Sequence, residues 1–251
     1  MNLTTLTALF VFIFGTIIGS FLNVLIYRIP LKLDFVKGRS FCPSCHHDLQ
    51  ALDLFPVFSY LFLGGKCRYC KTKISIRYPL IELLTGIAFT LVFLRYGFTP
   101  LTLIGIILSA DLIVLAMIDH DTLEFADGFS ILIFILGFAA LILDHSTLLL
   151  TVIGMFTISI PMYLLALATG GFGGADIKLM GAAGLLLGFP NVLVAFFVGV
   201  ITGGIQAILL LRKGKSGKTM MPFGPHLALG IFVAFLYGKA ILDWYLVFFV
   251  H

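Results

Sequence analysis

Residues 3–26 contain no charged side chain, and neither do residues 148–168 or 192–211. About 20 consecutive apolar residues are what a helix needs to cross the hydrocarbon of a bilayer. Further apolar stretches cover residues 80–93, 101–118, 129–143 and 227–250, and a shorter one covers residues 179–189. A membrane-spanning β-barrel would instead show alternating segments of about 10 residues. Charged residues make up only 11% of the chain, whereas a soluble domain carries roughly 25%. The expected fold class is an all-α polytopic membrane protein with about eight transmembrane segments. Residues 179–189 are either a short half-span or a re-entrant piece, and a re-entrant piece must be shielded by protein. The first run has no Lys or Arg before Arg28 and no A-x-A site after it, so it reads as a retained span rather than a secretory leader.

Positive charge sets the expected orientation. Nine of the 16 basic residues lie between the first two spans: Arg28, Lys32, Lys37, Arg39, Lys66, Arg68, Lys71, Lys73 and Arg77. Four more lie in residues 212–218. The positive-inside rule assigns both regions to the cytoplasm. An even number of spans must then separate them, which eight segments satisfy. The N-terminus is expected outside, and the loops near residues 119–127 and 170–176 on the cytoplasmic side. The net charge of +4 carries no nucleic-acid signal.

All four cysteines fall in the first polar stretch, as Cys42-Pro-Ser-Cys45 and Cys67-Arg-Tyr-Cys70 with 21 residues between the pairs. Each C-x-x-C pair can hold one edge of a tetrahedral thiolate site, so a structural zinc on Cys42, Cys45, Cys67 and Cys70 is expected. The alternatives are two disulfides or four free thiols, and a cytoplasmic location argues against disulfides. His46 and His47 adjoin Cys45, but four cysteines already complete a closed site.

Acidic residues are scarce, 12 in all, yet Asp119, Asp121, Glu124 and Asp127 fall within nine positions at the end of one apolar run. Asp176 follows the glycine-rich run of residues 170–175. Charge beside hydrocarbon is costly unless used or paired. Two carboxylates brought together share one proton, which suits activation of water against a peptide bond. The plainer reading is that such acids mark span ends, and it weighs most for Asp121, Glu124 and Asp127. Asp111 lies eight residues before Asp119, just over two helical turns, so both can face one side. It can equally be a single buried acid bonded to a neighbouring helix.

Seven segments, in order, carry a resemblance: GSFLNVLIYRIP (19–30), CPSC (42–45), PVFSYLFLGGKCRYC (56–70), ISIRYPLIE (74–82), IDHDTLEFAD (118–127), GGADIKLMGAAGLLLG (173–188) and PFGPHLALG (222–230). Over nearly its full length the chain resembles the bacterial type IV prepilin peptidases, the bifunctional leader peptidase/N-methyltransferases of aspartic peptidase family A24. The resemblance implies that Asp119 and Asp176 are the catalytic pair and that the cysteines form a cytoplasmic metal-binding module. It implies cleavage of the basic leader of a prepilin or pseudopilin just after a glycine. It further implies methylation of the new N-terminal residue from S-adenosylmethionine. Two positions depart from the family pattern: Ala126 replaces a proline and Ala175 replaces a glycine. The loss of proline is expected to loosen the entry to the following helix, and Ala175 to allow less backbone freedom than glycine.

The expected organisation is a first transmembrane helix over residues 1–27, a cytoplasmic cysteine-rich module resembling a zinc ribbon over residues 28–78, and a transmembrane aspartyl peptidase domain over residues 79–251. The expected location is the cytoplasmic (inner) membrane, with the cysteine module and active site on its cytoplasmic side. The expected partners are the pilin substrate and the lipid bilayer, with no nucleic acid. The sequence does not speak to oligomeric state. No G-x-G-x-x-G opens a helix after a strand, so no dinucleotide-type cofactor site is legible. Asn23 and Glu82 are candidates for shaping a methyl-transfer site. Their plainer roles are helix packing for Asn23 and an ion pair with Arg77 or Lys73 for Glu82. Competing functions are a proton-coupled transporter, a zinc-ribbon binding module without chemistry, and an intramembrane protease resembling the presenilins. The cysteine pairs and the GSFLNVLIYRIP segment favour the prepilin peptidases.

Overall fold

A computed structural model describes residues 2–36, 38–145, 148–171, 173–214, 216 and 220–249. Lys37, Lys215 and Lys218 of the two basic stretches, Phe172 of the glycine-rich run and Val250 of the last apolar run lie outside the described residues. Every apolar run is helical: α1 (Leu3–Arg28), α3 (Arg77–Tyr96), α4 (Pro100–Thr122), α5 (Asp127–Leu143), α6 (Leu148–Thr169), α7 (Gly174–Leu187), α8 (Asn191–Arg212) and α9 (Gly224–Phe249). A short helix α2 (Phe58–Phe62) and a single 3-10 turn at Ala51–Asp53 lie in the polar stretch. The described residues form no strands, only two isolated bridges, Phe41 with Asp48 and Lys66 with Lys73.

The chain is a multi-pass membrane protein. Six helices, α1, α3, α4, α6, α8 and α9, are long and apolar enough to cross a bilayer. α5 has 17 residues and is apolar but shorter. α7 has 14 residues, about 21 Å of helix, which falls short of a hydrocarbon core of about 30 Å.

Local chemistry sets the helix ends. Pro100 opens α4, where its missing N–H costs nothing. α4 closes through Leu123, which takes a left-handed φ of 60° and donates its N–H to the Asp119 carbonyl at 2.8 Å. Asp127 sits in the first turn of α5, where the helix dipole favours negative charge. α7 starts after Gly173 and stops at Gly188, whose φ of +69° suits glycine.

Two compact units are present, Met1–Thr102 and Leu103–His251. In the first, α1 lies along α3. Gly15 and Gly19, one turn apart on α1, make this approach possible: a Cβ on Gly15 would sit 2.8 Å from the Gly86 Cα, and one on Gly19 2.7 Å from the Glu82 Cα. Small residues allow such contact in lipid, where packing rather than water exclusion holds helices together. One turn further on, the Asn23 amide donates to the Tyr78 carbonyl at 3.2 Å, so its packing role is real.

The second unit is built around α7, which touches α5, α6, α8 and α9. All seven residues from Leu179 to Leu185 are buried. Gly184 meets Gly154 of α6 backbone to backbone, leaving no room for a side chain on either. This protein sheath meets the requirement for an apolar helix too short to span alone.

Candidate functional site

The cysteine module has almost no apolar core. Among the described residues between Ile29 and Ile76, only Cys42, Gly65 and Cys67 are buried. Its order comes from two matching turns offset by 25 positions. The Cys42 N–H bonds the His47 carbonyl and the His46 N–H bonds Cys42; the Cys67 N–H bonds Thr72 and the Lys71 N–H bonds Cys67. His46 and Lys71 hold equivalent left-handed positions, with φ of 55° and 61°. The sequence shows this repeat only as two C-x-x-C pairs, because the residues around them differ. The His47 ring lies tilted by 37° against that of Tyr69, with ring centres 3.6 Å apart, tying one turn to the other. Asp53 receives hydrogen bonds from Arg68, Gln50 and Tyr69. Burial pushes the Asp53 carboxyl up, but these donors outweigh it and hold the group below the usual carboxylate range.

The four sulfurs lie within 4.8 Å of one another, with Cys42 and Cys70 at 3.8 Å. A tetrahedral zinc with bonds of about 2.3 Å needs sulfurs about 3.8 Å apart. The thiols also bear the mark of crowded charge. Bonds with Thr72 bring Cys70 down to about 6. At Cys45 the His47 N–H pulls down, but desolvation and the sulfurs of Cys70 and Cys42 push the thiol up to about 11. Four sulfurs this close cannot all be thiolates without a cation among them, so the set fits a metal ion. His46 and His47 stand outside the cluster.

In the second unit the helix ends bring the acids together. Asp119, in the last turn of α4, is 5% exposed. Its Oδ2 accepts the N–H of Gly224, the first residue of α9, at 2.8 Å. A Cβ on Gly224 would lie 2.7 Å from that oxygen, so only glycine permits the contact. Asp176 stands in the first turn of α7, half-buried, and the Gly173 backbone bonds its carboxyl. Asp119 and Asp176 lie within electrostatic range of each other. The two carboxyl groups are thus electrostatic neighbours, although 57 positions separate them in the sequence.

The other acids divide. Asp127 pairs with Lys178 at 2.7 Å, joining the start of α5 to the first turns of α7 two residues beyond Asp176. Both side chains are more than half exposed, so the pair fixes position more than it stabilises. Asp121 and Glu124 are exposed. Asp111 is buried within α4, and its Oδ2 has no hydrogen-bond partner among the described residues.

The two departures from the family pattern are accommodated. Ala126 precedes α5 with φ −71°, within the range that a proline ring fixes. Ala175 lies in the first turn of α7, where a helical backbone suits alanine better than glycine.

Three partners were not legible from sequence: Gly224 for Asp119, Lys178 for Asp127, and Val57 for Glu82. Glu82 is buried and accepts the Val57 N–H at 2.7 Å. Among the described residues it forms no ion pair with Arg77, Lys73 or any other base. Only the PFGP segment around Gly224 gave a signal, since a glycine between two prolines marks a constrained turn.

Residues 13–96 match the bacterial peptidase A24 N-terminal domain, and residues 106–208 match the type IV leader peptidase family. The chain is 36% identical to the prepilin leader peptidase/N-methyltransferase of Neisseria gonorrhoeae, over 93% of each chain. It is 35% identical to that of Bacillus subtilis (strain 168), over 94% of this chain and 96% of the relative. Against that of Pseudomonas aeruginosa it is 32% identical over 93% and 91%. No solved structure matches it. With both halves matched in order and relatives aligned nearly end to end, the chain belongs to the type IV leader peptidase family.

Proposed function

We propose that this chain is a membrane aspartic endopeptidase that removes the leader peptide of type IV prepilins or pseudopilins and N-methylates the new N-terminal residue. What supports the peptidase reading is that Asp119, in the last turn of α4, and Asp176, in the first turn of α7, lie near enough for charge on one to bear on the other. It is joined by the names borne by relatives in three bacteria.

The chemistry follows from two carboxyl groups that share one proton. The charged member draws a proton from a water molecule, which attacks the scissile carbonyl carbon. The protonated member supplies the proton taken up as the peptide C–N bond breaks. The pair titrates as one unit, so acid and base are roles within it rather than labels for either residue. The Gly224 N–H holds the Asp119 carboxyl in place, and the Asp127–Lys178 pair holds the start of α7 beside α5. Exposed Asp121 and Glu124 add negative charge where a basic leader would approach.

In this reading the active site and the cysteine module face the cytoplasm and the N-terminus lies outside, by the distribution of Lys and Arg. Residues 1–27 anchor, residues 28–78 form the module and residues 79–251 the peptidase domain. Cys42, Cys45, Cys67 and Cys70 would hold a structural zinc that replaces the missing apolar core. S-adenosylmethionine, when bound, would supply a methyl group carried on a positively charged sulfur.

The test is reconstitution in liposomes with a prepilin bearing a basic leader. Loss of the leader with the native protein, and none with Asp119→Asn or Asp176→Asn, is the expected result. Cleavage by either variant at the native rate would remove the dyad.

A further inference from the structure

Residues 54–63 carry no charge, although they lie inside the polar stretch between Asp53 and Lys66. Their apolar side chains are turned the wrong way for a module bathed in water. Phe55, Phe58, Leu61 and Phe62 are all exposed, Phe62 by 86%, while Ser59 and Tyr60 turn inward. Positions 55, 58 and 62 have the spacing of one helix face. The Phe58 ring lies 5.6 Å from that of Phe55 and 6.4 Å from that of Phe62, so the three form one aromatic stripe along α2. A contiguous exposed patch of this kind marks a surface that something covers.

The depth of α2 says what covers it. The Val57 N–H, at the start of α2, donates to the Glu82 carboxyl at 2.7 Å. Glu82 lies five residues into α3, about 7.5 Å along its axis. It packs against Gly19 of α1, nine residues before Arg28 closes that helix, or about 13.5 Å from its end. The start of α2 is therefore level with the apolar part of two membrane-spanning helices, not with the cysteine turns. A left-handed turn at Val57, with φ of 62°, brings the chain into this position, a strained conformation for a β-branched residue. The segment also meets the demand that a bilayer makes on backbone groups. The N–H groups of residues 57–59, 61 and 63–65 are all bonded, within the segment or to Glu82. Beyond it come Lys66, Lys71 and Lys73, all exposed, which suits the phosphates of lipid headgroups.

We propose that α2 is a membrane-inserted element: Phe55, Phe58, Leu61 and Phe62 sit among lipid acyl chains in the leaflet that faces the cysteine module. An apolar helix face of this kind enters a bilayer by about 5–10 Å. The insertion holds the cysteine module, which has almost no apolar core of its own, down on the membrane surface. The proposal stands on the membrane fold and needs neither of the proposed activities.

The test is fluorescence of the full chain in nanodiscs. Trp244, the only tryptophan of the sequence, is first replaced as Trp244→Phe, and Phe62→Trp is added as the reporter. The reporter is expected to emit blue-shifted light, to lose most of its emission to phospholipids brominated on the acyl chains and to lose little to aqueous acrylamide. Bromines near the headgroup are expected to quench it more than bromines near the chain ends. Strong quenching by acrylamide with none by brominated lipid overturns the proposal. Protection from both quenchers also overturns it, because the patch is then covered by protein, whether a second copy or another part of this chain. If Phe62→Trp does not yield inserted, monodisperse protein, Phe58→Trp on the same face decides by the same readings.

Discussion

Gly224 donates its main-chain N–H to Oδ2 of Asp119 across 2.8 Å, tying the start of α9 to the end of α4. The contact fixes one carboxylate of the proposed dyad by backbone rather than by a side chain that could rotate away. A methyl group at position 224 would lie 2.7 Å from the same oxygen and 2.9 Å from the carboxyl carbon. Gly224→Ala must therefore displace the carboxylate. A displacement near 1 Å costs on the order of 10²-fold in rate, so prepilin cleavage is expected to fall by about that factor. Initial rates on membranes with equal amounts of inserted protein check this, and a native rate would show that the contact does not position Asp119.

Ala126→Pro is expected to leave cleavage unchanged and to stabilise the protein slightly. The residue already holds φ −71° and its carbonyl, not its N–H, makes the bond to Phe129. Proline at a compatible position gains about 0.4–1 kcal/mol by restricting the unfolded chain. Thermal melting in detergent measures it. A marked loss would mean that the segment before α5 needs the freedom alanine gives.

About one zinc per chain is expected in the native protein, and close to none in Cys42→Ser or Cys67→Ser, the two buried members of the cluster. Metal analysis of the purified protein decides, with thiol titration alongside. With no other core to hold it, the module without metal should also become sensitive to trypsin at Arg68 and Lys71. Four freely reactive thiols in an undigested native protein would contradict the metal site.

Gly184→Leu is expected to destabilise the second unit by about 1–3 kcal/mol, the usual cost of overpacking. Position 184 faces the Gly154 backbone with no space between, and α7 depends on α6 to be shielded. The readout is the melting temperature in detergent, with Gly204→Leu as the control, since a side chain there meets nothing within 4 Å. Equal melting of the two variants would deny the close α6–α7 contact.

Much of this was legible before the fold. Apolar run length gave the helices; the scarcity of acids drew attention to residues 119–127 and to Asp176, and the family resemblance chose Asp119 and Asp176 among them. The cysteine spacing pointed to a cluster able to hold a metal ion, because C-x-x-C pairs are local and their geometry is nearly fixed by the turn. What the sequence hid was non-local. Nothing in residues 118–127 points to Gly224, because the bond uses a backbone N–H that every residue but proline has. The pairing of Lys178 with Asp127 has no local signal, because it joins α7 to α5 across 51 positions. Glu82 read as a candidate for an ion pair because bases were near in sequence, but its partner is the strained backbone at Val57. α7 was ambiguous for a physical reason: at 14 residues it is a span only if other helices surround it, and sequence length alone does not tell.

The measurement that tests the central claim most directly is the mass of a prepilin's N-terminus after incubation with membranes carrying this protein and S-adenosylmethionine. Asp119→Asn and Asp176→Asn membranes run in parallel. The account predicts a product lacking its leader and carrying one methyl group with the native protein, and full-length, unmethylated prepilin with both variants. Leader removal by either variant at the native rate, or an intact substrate with correctly inserted native protein and a cognate prepilin, would contradict it.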